Sequence, residues 1–343
     1  MLPELSLSQR NFRPLLFLKS CLTVSGLLLV TSLALPAEAA ELVFLDNNTP
    51  LVRWYDLNQG QERKSSDVGL TPTQIRLEGT QVFVLDGTGN RLYVLESAED
   101  SAAKSVRVPA NPADFVIGKE FIYVVHGRSN RLTVLNRKDL QPVSKIDLGP
   151  ANAYLLSPTL ALDESRSRLW MADPSKGLVR VYDTRSLKEV ANIPLGDSAF
   201  LAPSALDAAT GRLFVAMKST LYVLDGETVQ VQKKLSLQDP NFLGRSVNPG
   251  LIALDAKSGR LYLGDSTLNQ ISVVDLNKFN LIPEASLTFR NPISAVDLDT
   301  QGNLYVTHPG RGEVTVINAA SPKVADRKTI KVGKNPTQLR IIP

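Results

Sequence analysis

Seven positions of the chain share one setting: Asp46, Asp86, His126, Asp173, Met217, Asp265 and His308. Each ends a short apolar run and opens a polar turn, as in Phe83-Val84-Leu85-Asp86 and Tyr305-Val306-Thr307-His308. Carboxylates and imidazoles gathered at one place are ligands for a divalent cation, which makes Asp46, Asp86, Asp173 and Asp265 candidate metal ligands. The same residues have a plainer use. Aspartate at the first position of a tight turn accepts backbone N–H bonds from that turn, and a set of turn caps reads the same way in sequence. Imidazole caps a turn less naturally, so His126 and His308 stand apart as candidates for contacting a ligand or partner.

A repeat must position these residues. Residues 261–275, LYLGDSTLNQISVVD, alternate apolar and polar side chains on either side of a short polar turn, which reads as a β-hairpin. The hairpin recurs at 82–96, 122–136, 169–183, 213–225 and 304–318, and in degenerate form at 42–56, making seven copies. A strand that follows a proline precedes each hairpin, clearest at 160–163, 204–207, 252–255 and 294–297. A more polar strand follows it, as at 143–148, 189–195, 231–237, 283–289 and 327–332. The punctuating prolines, Pro72, Pro112, Pro158, Pro203, Pro249, Pro292 and Pro336, are spaced by 40, 46, 45, 46, 43 and 44 residues. Four antiparallel strands at that period are a β-propeller blade. The fold class is therefore all-β, a seven-bladed propeller.

The two ends predict closure. Leu42 starts in the second strand of a blade, and Pro336-Thr337-Gln338-Leu339-Arg340-Ile341 is a lone first strand. It nearly repeats Pro72-Thr73-Gln74-Ile75-Arg76-Leu77. Pairing the last strand inside the first blade, in front of 42–46, leaves the ring without a free inner edge.

In that architecture the second-to-third strand turns and the blade-to-blade connections share one face. Three consecutive connections there carry apolar residues, around Tyr154, Phe200 and Phe242, with Arg245 near to meet an anion or carboxylate. Loops bearing aromatics above a polar mouth form a recognition surface, unless they fold inward and plug the channel. On the other face Asp163, Asp207, Asp255 and Asp297 end innermost strands and are expected to cap turns. Arg76 and Arg340, on neighbouring inner strands, could point into the channel and hold an anion. The basic stretch Lys323, Arg327, Lys328, Lys331 and Lys334 suits either an acidic partner or a solvated edge strand.

Residues 1–39 have the pattern of an export signal: a basic segment ending at Lys19, an uncharged run from Cys21 to Leu35, then Pro36-Ala37-Glu38-Ala39 with small residues where signal peptidase cuts. The 15-residue run is shorter than the roughly 20 residues of a spanning helix, although an uncleaved anchor is the competing reading. The expected organisation is a signal peptide over 1–39 and one propeller domain over 40–343, exported to the periplasm or beyond, without stable membrane insertion after cleavage, and monomeric. The single cysteine, Cys21, falls in the signal, which leaves no disulfide or thiolate metal site in the remainder. Formal charge is +4, and Arg10, Arg13 and Lys19 against Glu4 and Glu38 account for +1 of it. A remainder of +3 provides no electrostatic footprint for nucleic acid.

The strand ends Phe83-Val84-Leu85-Asp86, Tyr123-Val124-Val125-His126, Trp170-Met171-Ala172-Asp173, Tyr262-Leu263-Gly264-Asp265 and Tyr305-Val306-Thr307-His308 resemble those of YVTN-type and NHL-type bacterial β-propellers, across essentially the whole of 40–343. Most members carry Asn or Asp at the last position, from which His126, His308 and Met217 depart. The resemblance implies architecture more than function, since such propellers include binding proteins, lactonases and quinoprotein dehydrogenases. A quinoprotein would show recurring Trp motifs, and Trp54 and Trp170 are the only tryptophans. No Ser/His/Asp grouping, phosphate-cradling Gly-rich loop or long helix is recognisable. The expectation is an exported binding or scaffold propeller that takes a protein or small-molecule partner on its loop-bearing face, without a cofactor unless a divalent cation. The alternative is a lactonase-like hydrolase at the channel mouth, metal-dependent if the aspartates converge.

Overall fold

A computed structural model describes residues 41–46, 48–97, 103–127, 131–148, 158–196, 198–238, 246–318, 327–333 and 335–342. The predicted signal at 1–39 lies outside them. The first blade begins with β1 (Glu41–Asp46), β2 (Leu51–Asp56) and β3 (Gln61–Asp67). The second comprises β4 (Pro72–Glu78), β5 (Gln81–Asp86), β6 (Arg91–Glu96) and β7 (Lys104–Arg107), and the third β8 (Pro112–Ile117), β9 (Phe121–His126), β10 (Arg131–Asn136) and β11 (Pro142–Asp147). The fourth holds β12 (Thr159–Asp163), β13 (Arg168–Asp173), β14 (Leu178–Asp183) and β15 (Glu189–Pro194), and the fifth β16 (Ser204–Asp207), β17 (Arg212–Met217), β18 (Thr220–Asp225) and β19 (Gln230–Ser236). The sixth contains β20 (Leu251–Asp255), β21 (Arg260–Asp265), β22 (Gln270–Asp275) and an outer strand split into β23 (Asn280–Leu281) and β24 (Leu287–Thr288). The seventh has β25 (Val296–Leu298), β26 (Asn303–His308), β27 (Glu313–Asn318) and β28 (Arg327–Lys331), and β29 (Pro336–Ile342) ends the series.

All pairings within blades are antiparallel, and β29 lies beside β1 with Val43 opposite Arg340 and Leu45 opposite Gln338. The predicted closure is thus present. The first strands of the blades touch in the cyclic order β29, β4, β8, β12, β16, β20, β25 and back to β29, which makes them the inner wall of a seven-membered ring.

The alternating side chains of each second strand explain why both of its faces are apolar. Along β13, Leu169 and Met171 pack with Val125 and Leu132 of the third blade, whereas Trp170 and Ala172 pack with Leu213 and Val215 of the fifth. One strand therefore feeds two cores, and a residue slip would invert both. Seven such clusters fill the seven interfaces, the last joining Leu42, Leu339 and Ile341 to Ala295, Tyr305 and Val314 across the closure. Burying a Leu or Phe side chain fully contributes about 1.5–3 kcal/mol, so stability accrues between blades rather than within them.

Two local expectations are corrected. Residues 283–289 do not form one outer strand: Pro283, which lacks an N–H for pairing with β22, starts a single 3₁₀ turn over Pro283–Ala285 between β23 and β24. Asp297 does not cap the inner turn of its blade. Asp299 does, accepting N–H bonds from Gln301 at 2.9 Å and Asn303 at 2.8 Å, while Asp297 sits opposite Tyr305 in mid-strand. The Ser-Ala-Val-Asp letters match Ser-Ala-Leu-Asp of the fifth blade, but the strand runs two residues further before it turns. Asp163, Asp207 and Asp255 cap as expected, each bonded to backbone N–H groups two or three residues on.

Candidate functional site

The seven positions at the ends of the second strands are all buried, from Asp46, with no exposed surface, to Asp173 at 8 %. Each serves its own blade. Asp86 accepts N–H bonds from Gly89 in its own turn at 2.9 Å and from Leu70 and Thr71 in the incoming connection at 2.8 and 3.0 Å. Asp265 does the same with Thr267, Leu268 and Asn248, and Asp46 with Asn48 and Asn335. The carboxylate thus latches the blade-to-blade connection onto the adjacent turn. Asp46 is also bonded by Thr49 and Arg53. Burial raises its pKa, but these hydrogen bonds and the guanidinium outweigh burial and hold it below the ordinary value. Asp173 accepts from Ser175 at 2.5 Å and lies 3.8 Å from the Lys176 ammonium.

His308 performs the latch with reversed polarity. His308 Nδ1 donates to the Pro292 carbonyl at 3.1 Å, which leaves Nε2 to accept from the Thr315 hydroxyl at 2.8 Å. A connection that presents a carbonyl needs a donor at this position, and aspartate has none. His126 accepts likewise from Thr133 at 3.0 Å, but its Nδ1 faces the Pro109 and Ala110 backbone without a hydrogen bond of good geometry. Burial lowers both imidazole pKa values, that of His126 to about 4. Both rings are therefore neutral at physiological pH. Among the described residues no three His, Cys, Asp or Glu side chains stand together as a metal would require.

A wide opening lies on the same face, above the fourth to sixth blades. It has a volume of about 950 Å³ and is lined by Ala199, Phe200 and Leu201 of one connection and Pro249 and Gly250 of the next, with Ser175, Lys218 and Ser266 at its edges. Turn length makes it. The turn after β17 is only Lys218-Ser219, closed by a left-handed Lys218 (φ 51°), whereas its neighbours after β13 and β21 run to four residues. Met217 fits this exception, because a two-residue turn offers no N–H groups for an aspartate to cap, and the methionine packs into the core instead. Phe200 is 84 % exposed and Leu201 50 % at the mouth. The sequence identified Phe200; Lys218, Pro249 and Ser266 escaped it, although the short turn was a readable signal. Tyr154, Phe242 and Arg245 lie outside the described residues.

Fold and site together define a seven-bladed β-propeller with an apolar pocket on its connection-bearing face. No protein-family model matches the chain. It is similar to the zinc chaperone AztD of Citrobacter koseri, 22% identical over 173 residues, which are 49% of this chain and 40% of that protein. The chain thus spans about two fifths of the length of the curated relative it matches. The structure of apo AztD from that organism matches over 89% of this chain and 98% of its own, with a TM-score of 0.61 and 14% identity. A protein of unknown function from Desulfotomaculum acetoxidans gives a TM-score of 0.70 over 88% and 98% of the two chains, also at 14% identity. The dihydro-heme d1 dehydrogenase NirN, in complex with DHE, gives 0.61 at 12% identity over 88% of this chain and 74% of its own. Identities this low carry the fold alone.

Proposed function

We propose that this chain is a binding propeller, exported by its first 39 residues, whose pocket above the fourth to sixth blades receives the apolar body of an organic ligand. One observation carries the reading: Phe200, a large aromatic, stands 84 % exposed at the mouth of a cavity of about 950 Å³. Ligand pockets run to roughly 300–1,000 Å³ and combine an apolar lining with a few placed polar groups, here supplied by hydroxyls at the edges. A solvated phenyl ring that contributed only to folding would be placed in the core.

The test uses an amphiphilic fluorescent probe, 8-anilinonaphthalene-1-sulfonate. The native protein should bind it saturably at one site, and Phe200→Ala with Leu201→Ser should weaken binding about tenfold or more without shifting the melting temperature. Equal binding by wild type and double variant would sink the proposal. Export is checked by the amino terminus of protein recovered outside the cytoplasm, expected at Ala40.

Metal handling is a second reading, favoured by the similarity to a zinc chaperone. Its candidate ligands are His126, His308 and the aspartates Asp46, Asp86, Asp173 and Asp265, which would have to leave the latches described above. A saturable rise of the melting temperature with zinc, lost in His126→Ala, supports that reading, and an unchanged midpoint removes it.

A further inference from the structure

The inner wall of the ring is asymmetric. The residue opposite the third position of the second strand is Ala161, Ala205 and Ala253 in the fourth, fifth and sixth blades, and Val116 in the third. At the same position the seventh, first and second blades carry Asp297, Arg340 and Arg76. Three blades of the same protein thus show that the fold needs nothing larger than alanine there. Charge at the other three is surplus to folding, and departures from a local rule concentrate at functional sites.

These side chains keep accessible surface inside the ring. They stand in the middle of innermost strands, flanked by neighbouring blades, yet Arg76, Arg340 and Asp297 keep 30, 26 and 27 % of their side-chain surface exposed. Asp114, two pairs back along β8 from Val116, completes the group.

A count of donors and acceptors decides what the space would hold. Asp114 is saturated: it accepts Arg76 Nη2 at 3.0 and 3.2 Å, its own chain's Phe115 N–H at 2.8 Å and Leu160 N–H at 2.8 Å. The Leu298 and Ile341 backbone lies near the Asp297 carboxylate, which is 4.0 Å from Arg340 Nη1. Arg340 places one N–H on the Leu339 carbonyl at 2.7 Å. Arg76 Nε is buried with no acceptor. Each guanidinium has five N–H donors, which outnumber the acceptors that reach them. Burial lowers the Arg340 pKa, and the positive Arg76 adds to that, so the two cations sense one another across the gap. Asp297 is raised by burial. An anion between the guanidiniums offsets their mutual repulsion, and the Asp297 carboxylate opposes it.

We propose that the centre of the ring binds a small oxyanion, a carboxylate or a phosphate, held between the guanidiniums of Arg340 and Arg76. Guanidinium presents a fork of parallel N–H groups that matches either oxyanion. The site is independent of the apolar pocket and stands or falls without it.

Isothermal titration of the full propeller in low-chloride buffer, with inorganic phosphate in one arm and succinate in the other, tests the assignment. Saturable one-to-one binding in either arm is expected, and the stronger arm names the class. Arg340→Gln should weaken it about tenfold or more. Asp297→Asn should tighten it severalfold by removing the competing carboxylate, an effect that a merely structural ion pair does not produce. Arg76→Lys, which keeps a charge near Asp114 but loses the fork of N–H groups, should weaken binding severalfold. No saturable heat in either arm, or equal affinity in wild type and Arg340→Gln, overturns the proposal.

Discussion

Lowering the pH from 7 to 5 should destabilise this propeller before its exposed carboxylates titrate, and the cause would be its two histidines. The chain has only two, and both are buried as neutral rings, with His126 depressed from 6.5 to about 4. Between those values the unfolded chain binds a proton that the folded chain refuses, so stability rises with pH across this window and is fully present above 6.5. The interval is worth about 1.4 kcal/mol per pH unit, or about 3 kcal/mol in total for His126. His308 adds a term of the same sign, since burial depresses it too. The assay is guanidinium unfolding at half-unit steps from pH 7 to 5, alongside proton NMR of the two imidazole Cε1–H signals, assigned with His308→Asn. The expected result is a midpoint that falls continuously through this range, with one signal titrating far below 6. His126→Asn should make the slope clearly shallower. A flat midpoint, or a His126 signal titrating at 6.5 or above, would show that the ring protonates in place and that the buried geometry is wrong.

Asp86→Ala leaves the N–H groups of Leu70, Thr71 and Gly89 without their acceptor and should cost about 3 kcal/mol or more in equilibrium denaturation. Gly69→Ala should destabilise by a similar amount, because φ at this residue is 102° and a methyl group would meet the Asp86 carboxylate; a melting temperature within a degree or two of wild type would contradict it. Phe200→Ser, at a site that is 84 % exposed, should change stability by less than about 0.5 kcal/mol while weakening capture of the fluorescent probe.

Where the sequence was readable, one side chain had one job. The second strands announce themselves because alternate residues such as Leu169 and Trp170 both meet core, on opposite faces. The closing strand announces itself because Arg340 and Arg76 stand in the same register of neighbouring blades. Asp297 misled because letters do not count residues to the turn, and only pairing with β26 reveals the two-residue extension. His126 and His308 were visible as departures, but the reversed polarity of the His308 latch depends on which backbone atom the connection presents, here the Pro292 carbonyl. The pocket was half legible: Phe200 is conspicuous in a polar loop, whereas the cavity beneath it arises from a difference in length between adjacent turns.

The pairing of β29 with β1 has a consequence for assembly. The partners are about 300 residues apart along the chain, Glu41 meeting Ile342. In a chain made from the amino end, β1 waits with one edge bare while the other blades form. Joining such distant segments is an entropically expensive and slow kind of contact. During that wait any copy of β29 will serve, including one from another molecule, and two chains that exchange these strands close both rings with every contact intact. Refolding at high concentration should therefore produce strand-exchanged dimers, separable by size exclusion, in a proportion that falls on dilution.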